Sequence, residues 1–288
     1  MRFSYANDPV LSGKVFDLLE TAFPGLRRAV AEARQVGCIW EDVSTPFVHF
    51  EGERALSHVG LIDLPLRIAG RNVNVGSVHA VATHPDYRRR GLFRNLMEEL
   101  FRYCEGRYET LILSTENPEY YEPFGFRRLQ EHFFTVRGVS SGGADDLRLL
   151  DPRRAPDMEI LNRLLARRTP VSEVVGVRGE RTVFLFNEGN RPIHYAEDLD
   201  VVLCMEREGA NLGLFDVVGE TIPELPSLLA RVPEPVETVT LHFAPDRIAA
   251  AAEPTPYVVN HYGPSYLMVR GPFEVEGEPF TLPRSART

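Results

Sequence analysis

Lysine is almost missing from this 288-residue chain: all but one of its 32 basic residues are arginine, the exception being Lys14. No Gly-x-x-x-x-Gly-Lys-Ser/Thr run occurs anywhere, which excludes a Walker-type nucleotidase. Composition bias accounts for the arginine excess itself. Cysteine is scarce too. Cys38, Cys104 and Cys204 are too few for a disulfide framework and too widely spaced for a zinc knuckle, and no metal-ligand spacing joins them to the eight histidines. No metal is therefore expected. Long apolar runs are lacking, the longest small-residue patch being Ala249 to Ala252, far below the ~20 residues of a membrane span. The first nine residues, Met1 to Pro9, have no signal-peptide apolar core. The expectation is a reduced, cytoplasmic protein with no membrane partner. A net charge of −9 and a pI near 5.5 argue against broad nucleic-acid binding and tolerate a cationic small substrate. No repeat at solenoid periods is visible. What is present is an ordinary globular composition, 43% hydrophobic and 25% charged, in a chain long enough for two domains of ~100–200 residues.

Apolar spacing predicts a helix at Leu11, Val15, Leu18, Leu19 and Ala22, stopped by Pro24-Gly25, and a second helical stretch near Leu26 to Val36. Strands over Pro46–Phe50, Ala55–Ile68 and Val73–Thr83, separated by turn signals, read as an antiparallel meander. The strongest helix carries Leu92, Phe93, Leu96, Met97, Leu100, Phe101 and Cys104 at 3.6-residue spacing. A short strand at Thr110–Ser114, a short helix over Glu119–Phe124 and a strand near Phe133–Val136 follow. The polar, Gly-rich stretch 138–150 reads either as a linker between two domains, 1–137 and 151–288, or as a surface loop. Beyond it the pattern gives a helix near Pro156–Arg168 and strands near Thr182–Asn187, Val201–Glu206 and Leu212–Val218. It continues with a helix within Pro223–Val232, strands at Val236–Phe243 and Tyr266–Val269, and a tail expected to fray.

The chemically informative segment runs from Val78 to Met97. A strand ends, a basic loop with Gly91 follows, and a strong helix begins. Unpaired N–H groups and the helix dipole at such a junction favour an anion, most simply phosphate. Gly91 allows close backbone approach, and Arg88, Arg89 and Arg90 add forked donors. The alternative is a solvated arginine loop on a plain turn.

This segment resembles the GNAT superfamily of N-acetyltransferases, whose signature is a valine-bearing strand, Pro-x-Tyr-Arg, and an Arg/Gln-x-x-Gly-x-Gly/Ala loop opening a helix. Val78, Val81, Pro85, Tyr87, Arg88 and Gly91 match in spacing, and Phe93 stands where the pattern has Gly or Ala. The run from Arg88 to Arg94 is similar to the two-domain branch of the family. The resemblance implies an α/β (α+β) GNAT fold, with a mixed central sheet flanked by helices and a second, smaller α/β domain. It implies that amides across Arg89, Arg90, Gly91, Leu92, Phe93 and Arg94 cradle the pyrophosphate of acetyl-CoA. It also implies that the backbone of Val81, Ala82 and Thr83 pairs with the pantetheine arm, with a strand N–H near Val81 polarising the thioester oxygen.

A second matching segment, Tyr121-x-x-x-Gly125-Phe126, places Tyr121 where the family often keeps a tyrosine that protonates the leaving thiolate. A phenol with a pKa near ~10 is protonated at neutral pH and suits that role. Tyr121 alone reads equally as a half-buried aromatic, and Tyr120 as packing. For the base that accepts the amine proton, His79, Glu116 and solvent all stay open. Asn117 either contacts the cofactor or caps the turn before Pro118.

The second half echoes the element order of an acetyltransferase core but lacks the Arg-x-x-Gly loop, so a degenerate GNAT-like domain is expected there. It would wall an acceptor cleft. Tyr257, Tyr262, Tyr266, Asp198, Asp200, Asp216 and His261 read either as cleft lining or as ordinary surface and core. The expected activity is acetyl transfer to a primary amine of a small molecule or peptide, the alternative being a non-catalytic acyl-CoA sensor. A homodimer is the default assembly.

Overall fold

The computed structural model describes residues 4–5, 8, 10–138, 143, 146–233, 235–248, 251–260 and 263–288. Six of the thirteen residues of the expected linker (139–142, 144 and 145), as well as His261 and Tyr262, lie outside the described residues. In chain order the elements are α1 (Leu11–Ala22), α2 (Leu26–Gln35), β1 (Ser44–Glu51), β2 (Arg54–Ile68), β3 (Arg71–Thr83), α3 (Leu92–Cys104), β4 (Thr110–Thr115), β5 (Arg127–Arg128) and β6 (Glu131–Arg137). Then come β7 (Leu147–Leu150), α4 (Ala155–Arg167), β8 (Val175–Val177), α5 (Thr182–Glu188), β9 (Ile193–Ala196), β10 (Val201–Glu208), β11 (Asn211–Val218) and α6 (Leu225–Leu229). The chain closes with β12 (Thr238–Leu241), β13 (Glu253–Tyr257), β14 (Val259–Asn260) and β15 (Pro264–Arg270). Among the described residues no helix is long and apolar enough to cross a membrane.

Two mixed sheets organise the chain. The first runs β1-β2-β3-β4-β15-β14, with β5 on β15 and β8 on β2, and the second runs β13-β6-β12-β11-β10-β9-β7. Each contains an antiparallel hairpin (β2–β3, β10–β11), a helix crossover (α3, α6) and a strand parallel to the second hairpin strand (β4, β12). The next strand in each sheet comes from the other half of the chain. β15 lies antiparallel to β4, and β6 lies antiparallel to β12. The sheets thus exchange strands across residues 138–150, and Leu147–Leu150 pairs with β9.

Packing follows the periodicities. Leu96, Met97, Leu100 and Cys104 of α3 meet Phe47, Val59, Leu61, Val78, Leu111, Leu113 and Met268 on one face of the first sheet. Alternate residues of the same strands, Leu64, Leu66, Val75, Ile112, Leu267 and Val269, bury the opposite face under Phe273, Phe280, Leu282 and Ala286. The tail expected to fray is therefore core. Thr281, Ser285 and Ala286 have at most 1% exposure, and Arg287 reaches the buried Glu131. Its apolar residues fill a gap in the sheet face, and its arginines find carboxylates, which offsets the cost of burying charge.

Residues 182–187 form α5 and not the expected strand. Thr-Val-Phe-Leu-Phe has the composition of a strand, but the Glu180 carboxylate accepts the backbone N–H groups of Thr182, Val183 and Phe184 at 2.8, 2.8 and 3.2 Å. Three of the orphan donors of a helix start are satisfied by one side chain. Similarly, the helix expected over 119–124 is two 3-10 turns, Pro118–Tyr120 and Glu122–Phe124, separated by Tyr121.

Candidate functional site

The site is built where the first sheet comes apart. β3 and β4 pair only at Val75–Thr110, Gly76–Leu111 and Ser77–Ile112. Past Ser77 the two strands diverge and leave a wedge between Val78–Thr83 and Leu113–Thr115. On its other side β3 is bulged. His79 pairs with Gly60 and Ala82 with His58, so Ala80 and Val81 together face the single residue Val59. Ala80 has φ of +49°. A bulge bends its strand and re-aims backbone groups, and unpaired strand edges suit an extended ligand that carries amides.

The strand leads through a 3-10 turn, Pro85–Tyr87, into the basic loop. Arg89 and Gly91 both have positive φ, +64° and +80°. Gly91 is the N-cap of α3 and uses no side chain for the cap. Alternating left-handed residues at a helix start turn successive N–H groups toward one point, an anion-binding concavity. A Cβ at Gly91 would meet nothing within 4 Å, so the loop is open on that side. Arg88, Arg89, Arg90 and Arg94 are exposed, and Leu92 and Phe93 are partly buried. Arg88 Nε donates to the Thr83 carbonyl (3.3 Å), tying loop to strand. Arg90 stacks over Tyr87 at 4.7 Å and donates to the Asp86 carbonyl.

Tyr121 stands where α3, the wedge and the turn after β4 meet. It is 8% exposed and packs edge-on against Phe93 (5.7 Å) and Phe126 (6.1 Å). Burial alone raises its phenol pKa, so the group holds its proton throughout the physiological range. Phe93 also packs on Phe124 at 5.4 Å, and Arg94 lies over that ring at 5.6 Å. The aromatic at position 93 thus braces Tyr121, where the family pattern has a small residue.

The other candidates are placed differently. His79 lies on β3 with its ring packed against Gly60. Its Nε2 is 2.9 Å from Ser44 Oγ and its ring is edge-on to Trp40 at 4.8 Å. Burial, with the neighbouring His58, pushes its pKa well below the usual imidazole value, so it is neutral. Glu116 is exposed at the end of β4, beside Gly263. Asn117 occupies the N-cap position of the turn before Pro118, but its side chain makes no cap bond, and it is exposed. In the second half Asp216 is buried on Arg168, Asp198 pairs with Arg231 and Asp200 with Arg163. Tyr257 bonds Thr281, and Tyr266 lies under Arg128.

Sequence spacing missed two residues at the bulge. Ser57 Oγ donates to the Ala82 carbonyl (3.1 Å), and His58 Nδ1 lies 2.7 Å from the Ala80 carbonyl. They sit on β2, more than twenty residues from β3's bulge, and no local pattern marks them. The second sheet has a counterpart bulge at Phe215, between the pairs Cys204–Asp216 and Met205–Leu214. There the space is filled by the chain's own tail. Arg284 lies over the Phe215 ring at 3.6 Å, and Ser285 bonds Asp216. Its helix α6 has five residues and no glycine-arginine loop before it.

The fold has solved relatives. A conserved Enterococcus faecalis protein of unknown function matches at a TM-score of 0.60 and 14% identity, over 94% of this chain and 72% of that one. Eis1 from Mycobacterium abscessus matches at 0.57 and 14% over the same shares. A GCN5-related N-acetyltransferase from Kribbella flavida matches at 0.54 and 14%, over 94% and 70%. No curated protein sequence matches the chain. The family model described as an acetyltransferase (GNAT) domain matches residues 12–129, the stretch that holds the wedge, the bulge, the loop and Tyr121. Over residues 12–129 the chain is thus similar to the GNAT acetyltransferase domain, and its fold is that of the solved structures above.

Proposed function

We propose that this protein transfers an acetyl group from acetyl-CoA directly to a primary amine of a small molecule or peptide. The observation that carries the reading is the continuity of three features along twenty residues. A bulged strand edge opposite a parting neighbour runs into a left-handed loop, and the loop opens a helix. The edges of Val81, Ala82 and Thr83 suit the amides of the pantetheine arm. The N–H groups from Arg89 to Arg94, with Arg88, suit the pyrophosphate.

The chemistry follows from that pose. The amine nitrogen adds to the thioester carbon, the carbonyl oxygen gains charge, and the C–S bond breaks as the C–N bond is kept. A backbone N–H at the bulge stabilises the oxygen; donors of this type are worth ~3 kcal/mol. Tyr121, kept protonated by burial, gives its proton to the departing sulfur. The amine proton leaves to solvent, since His79 is held by Ser44 and Trp40 and Glu116 lies on the exposed rim. In this reading the second sheet is a degenerate GNAT-like unit whose ligand groove holds the tail, and it walls the acceptor side. The thiols are free and buried, in keeping with a reducing cytoplasm.

Isothermal titration with acetyl-CoA, with desulfo-CoA and free phosphate beside it, tests the reading. Micromolar binding of acetyl-CoA that phosphate does not mimic is expected. Absence of binding refutes it.

A further inference from the structure

A non-glycine residue with φ near +50° is uncommon and keeps that conformation only where its surroundings hold it. Ala80 is such a residue, and its carbonyl oxygen is the one 2.7 Å from His58 Nδ1. A carbonyl oxygen only accepts, so His58 carries its proton on Nδ1. The Ala80–Val81 peptide is planar and trans, so its N–H points opposite to its C=O. Drawing the Ala80 oxygen toward His58 therefore turns the Val81 N–H away from His58. Tyr5, the neighbour of His58, packs with Ala80 and Ala82 in one cluster, whereas the Val81 side chain packs into a different one, with Phe93 and Tyr121.

We propose that His58 is a positioning residue for acyl transfer: its Nδ1–H sets the Ala80–Val81 peptide so that the Val81 N–H donates to the thioester oxygen. The inference rests on the acetyl-CoA reading above and deepens it. His58 touches no reacting atom and acts through one peptide group. Three observations fit the role. The ring is 1% exposed, so water does not compete for the Ala80 carbonyl. Its pKa is pushed down to about 4 by burial, which keeps it singly protonated at working pH. The Tyr5 hydroxyl stands 3.5 Å from Nε2, on the side where the chosen tautomer needs a donor. Ser57 holds the Ala82 carbonyl in the same manner, so two side chains of β2 grip β3 where the backbone ladder is interrupted.

The test uses the full chain and acetyl-CoA labelled with carbon-13 at the acetyl carbonyl. Calorimetry reads affinity, and the carbon-13 chemical shift of the bound carbonyl reads the hydrogen bond without any acceptor amine. The wild-type complex is expected to move the carbonyl resonance downfield of its free position. In His58→Leu the resonance returns toward the free value while affinity changes little, because the phosphate loop is untouched. His58→Asn, whose amide N–H takes the place of Nδ1–H, restores the displacement; His58→Gln, which reaches only the Nε2 position, does not. With an acceptor in hand, kcat in His58→Leu falls on the order of 10- to 100-fold at unchanged KM for acetyl-CoA, less than the 10²–10³ lost with an oxyanion donor outright.

A wild type that binds acetyl-CoA without displacing the carbonyl resonance overturns the inference and leaves the cofactor reading standing. A wild type that does not bind overturns both. Equal displacement in wild type and His58→Leu, or a His58→Asn protein no better than His58→Leu, also overturns it. Should His58→Leu fail to fold, the Asn and Gln pair makes the same comparison.

Discussion

Replacing Gly91 by alanine isolates what the loop conformation contributes to binding. Gly91 has φ of +80°, and a Cβ there would meet no atom within 4 Å. The added methyl therefore clashes with nothing, and the whole effect is the cost of holding an L-residue left-handed, ~1–2 kcal/mol. Residues 88–91 are exposed on their outer side, so the unliganded loop relaxes to relieve the strain. Binding must then restore the strained form, and the cost shows as weaker affinity. At ~1.4 kcal/mol per tenfold, acetyl-CoA binding falls by about 5- to 30-fold. Gly106 supplies a matched control: φ is +70°, space around it is equally open, and it follows the other end of the same helix. Gly106→Ala should lower folding stability by about 1 kcal/mol and leave binding alone. Titration calorimetry beside urea melts of both variants decides the matter. If Gly91→Ala binds acetyl-CoA as the wild type and Gly106→Ala proteins do, the loop's backbone is not what holds the cofactor.

Three further perturbations have definite expected outcomes. Tyr121→Phe should cut turnover on the order of 10²-fold with acetyl-CoA affinity unchanged, since only the proton donor is lost; thiol-release kinetics at normal rate would remove Tyr121 from that role. Arg168 and Asp216 are fully buried on one another, at 2.7 and 2.8 Å. Arg168→Met should therefore destabilise by about 3–5 kcal/mol in urea melts, and a loss under 1 kcal/mol would contradict a tightly desolvated pair. His242, stacked on Phe215, has its pKa pushed to about 4 by burial and by Arg284 and Arg287. The unfolded chain binds a proton near pH 6.5 and the folded one does not, so this histidine's contribution is intact above that pH. It is lost as pH falls toward 4, about 2 kcal/mol by pH 5. In His242→Phe the stability difference between pH 7.5 and pH 5 should shrink by that amount, and an unchanged difference would show that the imidazole titrates normally.

The parts of the fold that were legible were those with local causes. α1, α3 and the β2–β3 meander follow apolar periodicity, and their bounds match the expected ones closely. The junction from Val78 to Arg94 was readable because strand, loop and helix are contiguous in sequence. What escaped was non-local. Thr182–Asn187 has strand-forming side chains, and only Glu180 folding back on its amides makes it a helix. The tail reads as a Pro- and Arg-containing end that frays, yet Phe280, Leu282 and Ala286 close a sheet face that includes Leu64, Leu66, Val75 and Ile112, all more than 150 residues earlier. At the site, Gly91 and Tyr121 carry spacing signals, whereas His58 and Ser57 depend on a register that only the folded sheet displays.

The traded strands also govern how the chain can be made and kept. A fragment ending at residue 137 contains the whole basic loop at Arg88–Gly91 and Tyr121, yet it lacks β15. It therefore presents β4 as an open edge where Leu111–Thr115 is otherwise covered. Such an edge pairs with whatever strand arrives, including a second copy. The nascent first sheet has to wait for residues 264–270 before it closes, and contacts of that sequence separation form slowly. The first sheet is thus expected to need its late-arriving partner strand during synthesis, so that the solubility of the first half depends on a segment far along the chain from the loop at Gly91 and from Tyr121.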